Sequence, residues 1–70
     1  MNYEYSKLEG ELRYDKNIMA HYDLSNLESV VGSMSDAQRV YVSDLLYNKH
    51  YFKLNKILQE LGLKQLCQKN

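Results

Sequence analysis

From Asn2 to about Tyr22 the apolar residues Tyr5, Leu8, Leu12 and Met19 fall close to one stripe when the chain is wound at about 100° per residue. Glu9 and Arg13 add an i,i+4 pair in the favourable orientation. The pattern predicts a helix. Gly10 in its middle costs that helix about 1 kcal/mol relative to alanine. It also leaves open a short hairpin turning at Glu9 and Gly10 between tyrosine-bearing arms.

The pattern resets between Tyr22 and Leu27. Ser25 followed by Glu28 has the spacing of a capping box, in which the serine oxygen accepts an amide of the first turn and the glutamate reaches back to the cap amide. A short helix is expected there, ending at Gly32 and Ser33. Ser35 with Gln38 repeats the signature, and Asp36 places a negative charge where the helix dipole favours one.

From Ala37 to Leu61 the periodicity is helical, but the apolar face changes direction. Up to Leu46 it is centred near Ala37, Tyr41 and Leu45; from Tyr47 onward it is carried by Tyr47, Tyr51, Leu54, Ile57, Leu58 and Leu61. One straight helix cannot bury both faces against one neighbour. Either it runs on and meets different elements along its length, or it breaks at Asn48, Lys49 and His50. The break is favoured, because asparagine tolerates the left-handed conformation that ends helices. Gly62 closes the last helix, with Leu63 expected to fold back on Leu58. Residues 64–70 read as a frayed tail.

The fold class that follows is all-α: a single domain over residues 1–70, a small bundle of three to four short helices in orthogonal or hairpin-like packing, possible as a dimer. A chain of 70 residues is short for a self-sufficient core, and such domains draw on disulfides, metals, oligomerisation or very tight packing. Cys67 is the single cysteine, so no internal disulfide forms, and a lone thiol fits a reducing cytoplasm. His21 and His50 lie far apart and suggest no metal site. The charged N-terminal stretch lacks the apolar core of a signal peptide, and no apolar run reaches the roughly 20 residues of a membrane span. Many Tyr, Asn, Lys and Leu residues fit an AT-rich coding sequence of phage or plasmid kind.

The formal net charge is zero, but the acidic residues gather before Ala37 and the basic ones after it. Such halves either attract within the fold or across a dimer, or leave a basic surface for nucleic acid.

Between Ala37 and Tyr47 the segment is apolar on two sides. Val42 and Leu46 form a second face beside the one at Ala37, Val40, Tyr41 and Leu45, and an extra face needs either more of the same fold or a partner to cover it. The expected partner-binding residues are therefore Tyr41, Val42, Leu46 and Tyr47, with tyrosine, abundant here, favoured at interfaces. Lys49, Lys53, Asn55 and Lys56 share the polar side of the last helix and support the alternative of a DNA-binding regulator, although helix-turn-helix registers with Asn48 or Gly32 in the turn put polar residues at core positions.

No nucleophile, base and orienter set can be assembled, and the three glycines stand singly rather than in a phosphate loop. The expectation is a small cytoplasmic regulatory or adaptor protein, not an enzyme, with no cofactor, no membrane and no small-molecule substrate. It binds a protein or a second copy of itself.

Overall fold

The computed structural model describes residues 3–66, and the side chain of Tyr3 is not described. Those residues form five helices and one two-stranded antiparallel ribbon: α1 Tyr3–Tyr14, α2 Lys16–His21, β1 Tyr22–Asp23, α3 Leu27–Gly32, α4 Asp36–Tyr47, α5 Tyr51–Glu60 and β2 Lys64–Gln65. The fold is therefore mainly helical, with more and shorter helices than the sequence pattern suggests.

The N-terminal stretch is helical rather than a hairpin, and Gly10 sits inside α1. Its predicted Glu9–Arg13 pair forms, and a second pair joins Lys7 to Glu11 at 3.0 Å. Bonding to Glu9 raises the Arg13 guanidinium above its ordinary pKa. The helix stops at Asp15, where the backbone turns extended and the side chain accepts the amides of Asn17 (2.9 Å) and Ile18 (3.0 Å), starting α2. This break changes which residue reaches the core. Ile18 is fully buried, whereas Met19, expected on the apolar stripe, is 50% exposed.

The predicted Ser25–Glu28 capping box is absent. Asp23 accepts the Ser25 amide at 3.0 Å, which spends Ser25 in a turn and holds the Asp23 carboxyl below its usual range. The cap position falls on Asn26, whose side chain donates instead to the Gly62 carbonyl at 2.9 Å. By contrast both halves of the Ser35–Gln38 box form, with bonds of 3.1 and 3.0 Å.

The long C-terminal helical stretch is two helices. Lys49 donates to the Leu46 carbonyl (3.1 Å) and His50 to that of Leu45 (2.8 Å), the paired bonds of a left-handed helix stop. The residue with positive φ is Lys49, at 61°, not Asn48, which stays near −85°. Asn48 serves in another way, its side-chain amide donating to the Asp44 carbonyl at 2.9 Å. The same stop recurs at Gly62, with φ 108° and Leu63 donating to the Leu58 carbonyl at 2.9 Å. Leu63 is buried there, as the sequence predicts.

Residues 64 and 65 are not frayed. They pair with β1, Gln65 opposite Tyr22 and Lys64 opposite Asp23, and the Leu66 amide donates to the His21 carbonyl at 2.9 Å. Residues 67–70, with Cys67, lie outside the described part. One core runs through the molecule: α1 packs on α3 and α4, and α4 on α5, around Leu8, Leu12, Ile18, Leu27, Val31, Val42, Leu54 and Leu58.

Candidate interaction surface

The helix α4 is apolar on two faces, but the faces are exchanged relative to expectation. The inner face is Arg39, Val42, Leu45 and Leu46, all buried. Val42 is fully covered by the chain itself and Leu46 is 6% exposed, so neither presents a free surface in this fold. The outer face carries Ala37, Val40, Tyr41, Asp44 and Tyr47; Val40 and Tyr41 are each 49% exposed and Tyr47 85%.

Arg39 is the physical reason for the exchange. A sequence reading places arginine in solvent, which rotates the inferred apolar centre toward Ala37 and Tyr41. In the structure the Arg39 Nε donates to the Val31 carbonyl (3.1 Å) and Nη2 to the Gly32 carbonyl (3.4 Å), both at the C-terminal end of α3. Nη1 donates to Asp36 at 2.8 Å, and the guanidinium lies 5.6 Å from the centre of the Tyr5 ring. These carbonyls lie in the last turn of α3, where a cation is favoured by the dipole, so the arginine belongs inside. With Arg39 turned inward, Val42, Leu45 and Leu46 follow on the same side.

Polar contacts hold α4 against α1. Lys7 donates to both Glu11 and Ser43 at 3.0 Å, and Ser43 donates to Glu11 at 2.9 Å. Beside this lace lies a depression of about 190 Å³ lined by Glu4, Lys7, Arg39, Val40, Ser43 and Asp44. At the other end of α4 a shallower hollow is lined by Tyr14, Asp15, Leu46, Tyr47, Lys49 and Glu11. Tyr14, 75% exposed, thus extends the aromatic surface of Tyr47 across to α1. Tyr51 is held differently: its hydroxyl donates to Asp15 at 3.1 Å, and burial with the adjoining carboxylate raises its pKa.

The alternative site on α5 divides. Lys49, Lys53 and Lys56 are all exposed, Lys56 lying over the ring of Phe52, 5.1 Å from its centre. Asn55 is half-buried, its carbonyl accepting the Tyr22 hydroxyl at 2.6 Å, and so is engaged within the fold. Phe52 itself is 76% exposed, a lone aromatic that the apolar stripe of α5 leaves on the polar side. The His21 ring nitrogen is bonded to the Asn17 carbonyl at 2.9 Å. Among the described residues no cluster of His, Cys, Asp and Glu could hold a metal, and no helix is long and apolar enough to cross a membrane.

The ion pairs Lys7–Glu11, Glu9–Arg13 and Asp36–Arg39 each lie within a single helix, at i,i+3 or i,i+4. Comparison with protein-family models, curated proteins and solved structures finds no match to this chain.

Proposed function

We propose that this chain is a small regulatory or adaptor protein that works by protein–protein binding, covering the surface it meets, whether of a partner or of its own copy, through the outer face of α4. The observation that carries the reading is the row Ala37, Val40, Tyr41 and Tyr47, an apolar and aromatic stripe on the side of α4 opposite its core residues. Tyr41 and Tyr47 keep the partner-binding role expected of them, and Tyr14 and Val40 join them. Val42 and Leu46 support the surface from within. A helix with two apolar sides, one packed and one open, is the arrangement that groove- or helix-binding partners use. Tyrosine suits such a surface because a large ring is presented with few torsions to immobilise.

The reading assigns the chain no chemistry and no cofactor. A DNA-binding role for α5 is supported by the exposed Lys49, Lys53 and Lys56, but not by Asn55, which is engaged with Tyr22 inside the fold.

The experiment is site-specific photo-crosslinking in cells making the protein. A photoreactive residue at Tyr47 or Tyr41 gives a discrete adduct that Val40→Glu abolishes, while the same probe at Lys53 or Gln59 gives none. Equal adducts from both faces, or adducts insensitive to Val40→Glu, overturn the reading. Retention on random duplex DNA that weakens steeply with rising salt would favour α5 instead.

A further inference from the structure

We infer that the occupant of the α4 outer face is a second copy of the same face, packed antiparallel about a two-fold axis near residue 42. This rests on the binding role proposed above and names its partner.

The outer face follows a heptad spacing, with Ala37, Val40, Tyr41, Asp44 and Tyr47 separated by three, one, three and three residues. That is the seam of two helices crossing at a shallow angle. Its chemistry is self-complementary in one direction only. Antiparallel pairing centred on residue 42 sets Ala37 of one copy opposite Tyr47 of the other, the smallest side chain of the seam against its most exposed ring. It sets Asp44 opposite Val40, at the mouth of a depression of mixed charge lined by Glu4, Lys7, Arg39 and Ser43, rather than directly opposite its own copy. It brings Asp36, at the start of one helix, beside Lys49, just past the end of the other. The helix dipoles then run head to tail. Parallel pairing reverses each match: Asp44 faces Asp44, Asp36 faces Asp36, and Tyr47 crowds Tyr47. A two-fold contact with each patch meeting itself is the commonest form of homodimer.

The test combines mass with register. Light scattering on a sizing column shows the 8.3 kDa chain moving toward twice that mass as concentration rises, and Val40→Glu holds it at the monomer mass with an unchanged helical circular-dichroism spectrum. In a Cys67→Ser background, Ala37→Cys chains mixed with Tyr47→Cys chains form the mixed disulfide under mild oxidation. Ala37→Cys alone forms none, because the two positions 37 are separated by about ten residues of helix, or about 15 Å, beyond the roughly 7 Å a disulfide spans. A monomer at every concentration overturns the inference, as does dimerisation that ignores Val40→Glu, or crosslinking of Ala37→Cys to itself in preference to Tyr47→Cys. A strictly monomeric chain that still gives the Tyr47 photo-adduct removes the second copy and leaves the binding role standing.

Discussion

Replacing Arg39 with methionine probes the contact that sets the orientation of α4. The side chain is 10% exposed and supplies hydrogen bonds to two carbonyls at the end of α3. A net hydrogen bond to a charged group is worth about 1.5–3 kcal/mol, and without the arginine the Val31 carbonyl still accepts the Met34 amide at 3.2 Å. The bonds share one guanidinium, so they do not add in full, and the Gly32 contact is long at 3.4 Å. The pair with Asp36 adds little, since that carboxylate is 69% exposed. Methionine recovers most of the apolar packing but none of the hydrogen bonds. The expected net loss is about 2–3 kcal/mol, or a fall in Tm of about 10–20 °C for a domain this small. Thermal unfolding followed by circular dichroism measures it. Arg39→Lys falls between, because an ammonium cannot fork to two carbonyls, while Asp36→Asn costs under about 1 kcal/mol. A Tm for Arg39→Met within about 3 °C of the parent, or an equal loss for Asp36→Asn, would refute the account of Arg39 as the strut between α3 and α4.

The left-handed stop makes a paired prediction: Lys49→Gly stabilises by about 0.5–1 kcal/mol, as relief of the positive φ exceeds the added unfolded-state freedom. Asn48→Gly, at ordinary φ, destabilises by a similar amount; urea titration separates the two. Gly62→Ala, at φ 108°, costs about 1–2 kcal/mol in the same assay. Burial raises the Tyr22 phenol above its ordinary 10.0. Its contribution is thus complete below pH 10 and declines above it, as the unfolded chain ionises first and the folded group later. Melts across alkaline pH should show stability falling in that window and a shallower fall for Tyr22→Phe.

Much of the architecture is legible in the sequence where a local signal has one meaning. Ser35 with Gln38 forms its box, and Gly62 with Leu63 closes α5, because backbone groups at helix ends have few other ways to be satisfied. Signals with competing uses mislead. Ser25 resembles a cap, but Asp23 takes its amide first; Asp15, which ends α1 and caps α2, hides inside a stripe that stays periodic across it. The ribbon of β1 and β2 is too short for alternation to be seen, two residues on each side. The burial pattern of α4 is half legible. Two apolar faces on α4 are evident, but which one faces inward depends on Arg39 meeting α3, a contact between residues whose pairing no periodicity encodes. That is why Tyr41 and Tyr47 remain at the surface and Val42 and Leu46 do not.

The small ribbon also sets an order of events. By joining Tyr22 to Gln65 it encloses α3, α4 and α5 in one closed loop, whose closure costs about 3 kcal/mol of chain entropy. Two ladder residues on each side do not offset that alone, so the ribbon depends on Tyr22 and Leu63 already being seated in the core. Protection of the Leu66 amide, bonded to His21, therefore reports the closing of that loop, and with it the seating of α3, α4 and α5 together.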